Sequence, residues 1–237
     1  MTAIVSGSLN LGAGNVAITS GNLTLGSSPP PPPPPPQNIG VVGFHTLSNG
    51  WSAVGAPTSF PGALFFAPNY DNAVNMGSPA QLADIKSQID AWKAANNIGE
   101  LRAGGISGGS YTGLMMAAAY PGMFKRMSLW LILYDLVAWS SEANSGDFGI
   151  VQSGMGVPYA TNPLPYYQRS PRWNLDAIGE TTMQITLNAG LQDGVTPIHH
   201  ARECYRRLKG LPNVTVTLNE FNGGHTFDGG ALVSQLS

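Results

Sequence analysis

The stretch 104–110, Gly-Gly-Ile-Ser-Gly-Gly-Ser, constrains the fold of this chain more than any other. It follows a mostly apolar run, 101–106, and leads into a run of small and apolar residues, 111–120, that stops at Pro-Gly. The first run is typical of a buried strand and the second of a closely packed helix. The G-x-S-x-G pattern at 105–109 is that of a strained strand-to-helix turn that exposes its serine. Ser107 is therefore the candidate nucleophile.

Two alternatives stay open at this stretch. A glycine-rich loop between a strand and a helix can have the same letters and carry no chemistry. Ser110 is a second serine in the loop, but its frame lacks the second glycine. The pattern favours Ser107 over Ser110.

Strand-like and helix-like segments alternate from Gln37 onward. Predicted strands cover 41–44, 63–66, 101–106, 128–136, 183–189 and 214–218, and predicted helices cover 78–97, 111–120 and 196–210. The stretch 137–179 has no clear period and is predicted to be irregular. Such alternation predicts an α/β fold with a doubly wound, mostly parallel sheet that is covered on both faces.

Two further residues follow the carboxyl ends of predicted strands, where the functional residues of a parallel sheet usually lie. Asp193 follows the predicted strand 183–189, and His225 follows the last predicted strand. Alone, Asp193 could be a turn residue and His225 an ordinary loop residue. Because both have glycine neighbours and follow Ser107 in chain order, the three together predict a Ser-Asp-His triad. His225 would accept the proton of Ser107, and Asp193 would orient the imidazole.

From about residue 78 to its end, the chain resembles the catalytic domain of the α/β-hydrolase superfamily, especially its prolyl-oligopeptidase-like and esterase branch. The resemblance rests on GISGGSY (105–111), RSPRWNLDAI (169–178), NAGLQDGVTP (188–197) and EFNGGH (220–225). Two features depart from that branch: no propeller-like domain precedes the predicted core, and no His-Gly-Gly-Gly motif follows the strand 63–66. The resemblance implies the α/β-hydrolase fold and a serine esterase that uses no cofactor or metal.

An oxyanion that forms during ester cleavage needs fixed hydrogen-bond donors. The backbone N–H of Gly108, directly after the serine, is one predicted donor. The second is predicted in the turn at Asn69 and Tyr70, from a backbone N–H or from the Tyr70 hydroxyl. The same Pro-Asn-Tyr-Asp sequence can also be an ordinary turn.

Residues 1–28 are unlike the rest of the chain. They contain no charged side chain, and the segment 6–12 returns with small changes as 20–26. Alternating apolar residues predict short strands, including Val16 to Ile18 and Leu23 to Leu25, that pair with another sheet or with copies of themselves. A disordered leader is the alternative. Eight prolines at 29–36 predict a polyproline II linker, so the predicted domains are 1–28, 29–36 and 37–237.

Composition limits the partners. Only 10% of the residues are charged, the net charge is −2 and no basic block occurs, which argues against nucleic acid and against an anionic membrane surface. No apolar run reaches the roughly 18 residues that a membrane span needs. The single cysteine, Cys204, cannot form an intrachain disulfide and leaves the compartment open. His199 and His200 are adjacent on a predicted helix and point apart, which argues against a metal pair.

Two functions stay open. The first is a serine carboxylesterase, with a deacetylase of surface polysaccharide as its more specific form. Its substrate would be an ester or an acetylated glycan. Residues 1–36 would join it to a homo-oligomer or a larger particle, because this segment loosely resembles the attachment ends of phage tail and virion proteins. That resemblance favours a virion-associated or extracellular location over the cytoplasm. The second function is a structural or adhesive virion protein that uses an inactive hydrolase fold as a scaffold.

Overall fold

The computed structural model describes residues 38–143 and 145–237, together with the backbone of 16–19 and 22–25. The chain divides into two units at Pro36. In the first unit, β1 (Val16–Thr19) and β2 (Asn22–Leu25) pair in antiparallel fashion, which confirms the strands predicted there. The predicted polyproline linker and the first copy of the repeat lie outside the described residues.

The second unit is built on a six-stranded sheet in which every pair of neighbouring strands is parallel. The spatial order is β4-β3-β5-β6-β7-β8. The strands are β3 (Asn38–Phe44), β4 (Ala63–Phe66), β5 (Ile98–Ile106), β6 (Arg126–Trp130), β7 (Met183–Gly190) and β8 (Val214–Phe221). This sheet confirms the predicted fold class, and it places β3 directly beside β5.

Seven α-helices are described, and short 3₁₀ segments lie between them. The helices are α1 (Pro79–Ala95), α2 (Gly108–Ala119), α3 (Leu136–Trp139), α4 (Ser145–Met155), α5 (Leu164–Gln168), α6 (Ile198–Lys209) and α7 (Gly229–Leu236). The 3₁₀ segments are Trp51–Val54, Pro171–Trp173 and Leu175–Glu180. The start of α1 follows the predicted signal, since the Ser78 hydroxyl caps it by accepting a hydrogen bond from the Gln81 N–H at 3.2 Å.

Two predictions of local structure are wrong. The stretch 137–179 is mostly helical instead of irregular, because α3, α4, α5 and two 3₁₀ segments lie in it or at its edge. The strand predicted at 128–136 ends at Trp130, since Leu131 has a φ of 60° and turns the chain out of the sheet. Leu131 to Leu136 are buried all the same, so burial of a loop and not pairing in the sheet explains this apolar run.

The two faces of the sheet bury separate hydrophobic cores, because successive side chains of a strand point to opposite faces. Val42 belongs to the larger core, which contains residues of α1, α2 and α6. Val41 belongs to the smaller core, which contains Trp51 and residues of α7. Helices thus cover both faces, as the alternation predicts. Among the described residues, no helix has the length and apolar character needed to cross a membrane.

Candidate active site

Ser107 lies at the bend between β5 and α2, in the conformation that its glycine neighbours predict. Its φ of 56° and ψ of −119° are strained for a residue with a side chain. A Cβ on Gly105 would lie 2.5 Å from the Gly109 carbonyl oxygen, and a Cβ on Gly109 would lie 1.9 Å from the Phe44 carbonyl oxygen. Only glycine fits at both positions, so the backbones of β5, α2 and β3 can approach closely around the serine.

The three side chains of the predicted triad form one hydrogen-bonded chain. The Ser107 Oγ lies 3.1 Å from His225 Nε2. The other ring nitrogen, Nδ1, lies 3.0 Å and 2.9 Å from the two carboxylate oxygens of Asp193. These distances are within hydrogen-bonding range, so the arrangement allows a proton to pass from the hydroxyl to the imidazole.

Backbone contacts hold the acid loop and the histidine loop together. The acid loop follows β7, and the histidine loop follows β8, the next strand of the sheet. A Cβ on Gly190 would lie 2.5 Å from the carbonyl oxygens of Gly223 and Gly224, so glycine is required where the two loops touch. The Gln192 N–H donates to the Gly223 carbonyl at 2.9 Å. Gly190 therefore serves this packing, whereas a Cβ on Gly194 would have nothing within 4 Å.

Asp193 is a buried carboxylate with a full set of donors. Its residue is 6% exposed, and it accepts from the N–H groups of Val195 and Thr196 at 2.8 and 2.9 Å and from the Thr196 hydroxyl at 2.8 Å. Burial raises the pKa of Asp193, but the hydrogen bonds from His225 and Thr196 outweigh burial and hold that pKa below its usual value. The carboxylate can only accept, so Nδ1 of His225 carries the proton and Nε2 accepts from the serine hydroxyl.

A pocket of about 380 Å³ opens beside Ser107 and His225. Its other lining residues are Thr46, Val54, Ile106, Leu131, Thr226 and Phe227. Four of these six side chains are hydrocarbon, and none carries a charge. The pocket can thus hold a small uncharged group next to the serine hydroxyl.

The predicted oxyanion donors do not lie together: Gly108 begins α2, whereas Asn69 and Tyr70 line another cavity. Gly108 is the first residue of α2, so its N–H has no acceptor within the helix. Asn69 and Tyr70 are not in the lining of the serine pocket and instead line a second cavity, of about 680 Å³. The Asn69 N–H donates to the Gln88 side chain at 2.9 Å, and the Tyr70 hydroxyl donates to the His45 carbonyl at 3.3 Å. The Asn69 N–H and the Tyr70 hydroxyl therefore have acceptors of their own.

A loop that the sequence reasoning missed lies beside the serine instead. It follows β3 and contains Thr46 and Leu47. A Cβ on Gly108 would lie 2.6 Å from the Leu47 backbone nitrogen, so the two main chains nearly touch. Within the part of the chain that the structure describes, no acceptor is bonded to the Leu47 N–H. The signal in the sequence was a histidine, His45, directly after a buried strand, but only the strand order shows which strand lies next to β5.

The alternatives to the three residues have other partners. Ser110 has no exposed surface, and its hydroxyl donates to the Ser107 carbonyl at 2.6 Å while accepting from the Leu133 N–H at 3.0 Å. Burial raises the pKa of the Cys204 thiol, which keeps it protonated and unreactive. Asp176 pairs with Arg207, and Glu220 pairs with Arg202 on the surface. No hydrogen bond joins His225 to the side chain of Ser110, Cys204, Asp176 or Glu220.

Among the described residues, one group has the donor chemistry of a metal site, namely Glu142, His199 and His200. Nδ1 of His200 accepts the Asp135 N–H at 3.2 Å, and Nε2 lies 2.9 Å from a Glu142 carboxylate oxygen. Nε2 must therefore carry the proton and donate to Glu142, which leaves no lone pair on this ring for a metal. The two rings do not point apart as predicted, since Nε2 of each lies about one hydrogen-bond length from a Glu142 oxygen. The cluster fits a hydrogen-bonded histidine–glutamate group better than a metal centre.

Comparisons with known proteins give matches among solved structures only. No protein-family model matches the chain, and no curated protein sequence matches it. A puromycin-hydrolyzing peptidase from Mycobacterium tuberculosis is 18% identical, with a TM-score of 0.67 over 86% of this chain and 33% of that chain. An acylaminoacyl peptidase from Pyrococcus horikoshii is 16% identical, with a TM-score of 0.63 over 80% of this chain and 33% of that chain.

A bifunctional GH43-CE protein from Bacteroides eggerthii is also similar in structure. It is 15% identical, with a TM-score of 0.68 over 85% of this chain and 33% of that chain. This chain thus spans about a third of the length of each of the three proteins. At such identities the likeness concerns the fold alone. The parallel six-stranded sheet flanked by helices matches these structures, and the chain has the α/β-hydrolase fold.

Proposed function

We propose that this protein is a serine hydrolase that cleaves carboxylic esters. The observation that carries the proposal is the hydrogen-bonded chain from the Ser107 hydroxyl through His225 to the buried carboxylate of Asp193, at the floor of an apolar pocket. A strained serine with an imidazole base and an orienting carboxylate is the arrangement that activates a hydroxyl as a nucleophile.

The reaction has two halves. Nε2 of His225 takes the proton as the Ser107 Oγ attacks the carbonyl carbon, and the same nitrogen then gives that proton to the departing alkoxide. The product of this half is an acyl-serine and a free alcohol. Water then attacks the acyl-serine with His225 again as base, and the carboxylic acid leaves as the serine regains its proton. Asp193 stabilises the imidazolium in both halves.

The oxyanion of each tetrahedral intermediate is bound by two backbone donors in this proposal. The first is the Gly108 N–H at the start of α2, where the helix dipole also favours negative charge. The second is the Leu47 N–H, in place of the donors predicted at Asn69 and Tyr70. The close approach of the Leu47 nitrogen to Gly108 supports this assignment.

Esters suit the pocket better than peptides with a free terminus do. A charged amino or carboxyl terminus needs a counter-charge, and the lining of the serine pocket offers neither a carboxylate nor a basic side chain other than His225. Apolar contacts from Val54, Leu131 and Phe227 favour a short, uncharged acyl group. We therefore propose acetyl to butyryl esters as the acyl part of the substrate.

The alcohol part is proposed to be a neutral glycan, which would make the protein a polysaccharide deacetylase. The second cavity adjoins the loop after β3, because Leu47 is in its lining and Thr46 is in the lining of the serine pocket. It is lined by hydroxyl and amide side chains, among them Ser48, Asn49, Ser52 and Asn69, and has one carboxylate, Asp71. Such uncharged donors and acceptors are suited to sugar hydroxyl groups.

A panel of substrates tests the proposal. The substrates are p-nitrophenyl acetate, butyrate and octanoate, p-nitroanilides of amino acids, and acetylated xylan. They are given to the wild type, to Ser107→Ala and to the control Ser87→Ala, which changes an exposed serine of α1. We expect hydrolysis of the two short esters and release of acetate from xylan, no cleavage of anilides, and loss of all turnover in Ser107→Ala only. Absence of hydrolysis of every ester by the wild type would favour the inactive scaffold instead.

A further inference from the structure

We propose that Asn72 is a positioning residue of the oxyanion hole: its buried side-chain amide fixes the Thr46–Leu47 peptide so that the Leu47 N–H faces the reacting carbonyl. This inference rests on the proposed function, because the orientation of that N–H matters for catalysis only if Ser107 attacks a carbonyl group. Nothing in the G-x-S-x-G pattern or in the triad involves Asn72.

The contact that carries the inference is a hydrogen bond from Asn72 to the loop after β3. Nδ2 of Asn72 donates to the Thr46 carbonyl oxygen at 3.1 Å. A backbone carbonyl can only accept, so the amide nitrogen and not the amide oxygen must face it. Nδ1 of His45 lies 2.8 Å from the same oxygen, so two side chains meet on this one carbonyl.

Because the peptide between Thr46 and Leu47 is planar, the hydrogen bond from Asn72 to the Thr46 carbonyl also orients the Leu47 N–H. In a trans peptide, the carbonyl of one residue and the N–H of the next point in opposite directions. Asn72 holds the Thr46 carbonyl toward the interior, so the Leu47 N–H points away from Asn72. Gly108 lies next to that nitrogen, because an added Cβ on Gly108 would stand 2.6 Å from it. The two proposed oxyanion donors are thus neighbours because the Thr46 carbonyl is held.

The burial of Asn72 indicates that this contact has a use beyond packing. Asn72 has no exposed surface, and its Oδ1 has no hydrogen-bond partner among the described residues. Burying an amide oxygen without a partner lowers stability, and an apolar side chain of the same shape would avoid that loss. The Asn72 side chain lowers stability and binds the loop beside the nucleophile. Its effect on that loop is the best explanation for an asparagine at this position.

The turn that carries Asn72 is braced on two sides, so the amide cannot easily shift. Gly154 of α4 packs directly on it, since a Cβ there would lie 2.2 Å from the Asn72 carbonyl oxygen. From α1, Nε2 of Gln81 donates to the carbonyls of Asp71 and Val74 at 2.8 and 3.2 Å. Rigid support of this kind is what a positioning residue needs.

Two substitutions test the inference on the full chain. Asn72→Leu removes the donor with a branched apolar side chain, whereas Asn72→Asp keeps the volume and replaces the donor with an oxygen that the Thr46 carbonyl repels. Asn174→Leu is the matched control, because the Asn174 amide also donates to backbone carbonyls, those of Gln168 and Ser170 at 3.0 and 2.7 Å. Each variant is measured for kcat and KM on p-nitrophenyl butyrate, for Ki of a boronic acid that mimics the tetrahedral intermediate, and for melting temperature.

We expect both Asn72 variants to lower kcat by about 10- to 100-fold, somewhat less than the complete loss of an oxyanion donor does. KM should change by less than about 3-fold, since the donor acts mainly on the transition state. The Ki of the boronic acid should rise by the same factor by which kcat/KM falls, and Asn174→Leu should leave all three constants unchanged.

The outcomes separate this inference from the function on which it rests. An inactive wild type overturns both. An active wild type with either folded Asn72 variant at nearly normal kcat overturns the inference alone. So does a fall in kcat with an unchanged boronic acid Ki, because that result is what general loosening of the fold produces. If Asn72→Leu does not fold, Asn72→Asp decides by the same measurements.

Discussion

The two sides of the candidate site are built from different kinds of chemical group. On the acid–base side, the groups proposed to act are the side chains of Ser107, His225 and Asp193, which follow the ends of three strands. On the oxyanion side, the proposed donors are backbone N–H groups, and side chains only hold that backbone in place, as Asn72 does for the Thr46 carbonyl. A single substitution can delete a group on the first side, whereas on the second side it can only displace one.

The largest contrast is expected from Asp193→Asn on the acid–base side. The amide cannot stabilise the imidazolium and favours the wrong tautomer of His225, so kcat should fall about 10³- to 10⁴-fold. Steady-state kinetics on p-nitrophenyl butyrate measures this, with Asp176→Asn, an exposed carboxylate paired with Arg207, as control. A comparable loss in the control, or near-normal turnover in Asp193→Asn, would remove Asp193 from the proposed triad.

Asp193 also supports its own loop, so that substitution should not leave stability untouched. The carboxylate accepts two backbone N–H groups and a hydroxyl besides the imidazole. Weakening these charge-assisted bonds should lower the free energy of unfolding by about 1 to 3 kcal/mol, measured by denaturant titration.

On the oxyanion side, Gly108→Ala tests the backbone donors by displacing them. Its Cβ would lie 2.6 Å from the Leu47 nitrogen, so the two main chains must separate. We expect kcat to fall about 10- to 100-fold with little change in KM, since each donor acts on the transition state. Gly149→Ala in α4 is the control, because a Cβ there has nothing within 4 Å. Equal kcat in the two variants would place the second donor elsewhere.

A smaller effect is expected from pH at His200, which links α6 to the loop after β6. Burial holds the pKa of His200 below its usual value, although Glu142 opposes this effect and His199 adds to it. Below the unfolded pKa of about 6.5, the unfolded chain then binds more protons than the folded chain, so stability falls as pH falls toward the folded pKa. Denaturant midpoints at pH 7.5 and 5.5 should drop further in the wild type than in His200→Gln. The other three histidines are common to both proteins, so an equal drop would contradict the expected shift.

The smallest effect on turnover is expected from removal of residues 1–36, which we propose to serve assembly and not catalysis. The second unit of the chain contains the whole candidate site. Residues 37–237 should therefore keep the kcat and KM of the full chain but lose any homo-oligomer or attachment to a larger particle. Light scattering on both proteins checks this. The proposal would be contradicted if the full chain, with no partner present, is monomeric and its first 36 residues resist protease.

The difference between the two sides also explains what could be predicted from the sequence. Ser107, Asp193 and His225 are rare reactive side chains with glycine neighbours, and parallel strands bring their loops to one edge of the sheet, so their order along the chain was informative. Any residue can supply a backbone N–H, so nothing in the letters of Thr46 and Leu47 marks a donor. Asn69 and Tyr70 were chosen because they follow β4, but β3 and not β4 lies beside β5.

Helices and strands could be predicted where the spacing of apolar residues along the chain shows which side chains are buried. The cap at Ser78 and the alternation of strands and helices were enough for the α/β fold. The run from Leu131 to Leu136 was mistaken for a strand because a buried loop and a buried strand are equally apolar. The proposed role of Asn72 could not be predicted from the sequence, since its partner Thr46 is 26 residues away along the chain.

Covalent labelling tests most directly whether Ser107 is an activated nucleophile. The intact protein is treated with a fluorophosphonate probe, and the labelled peptide is located by mass spectrometry in the wild type and in Ser107→Ala. We predict one phosphonyl group per chain, on Ser107, with no labelling of Ser110 in either protein and none of the alanine variant. Labelling that persists in Ser107→Ala, or a folded wild type that does not react at all, would contradict the proposed serine hydrolase.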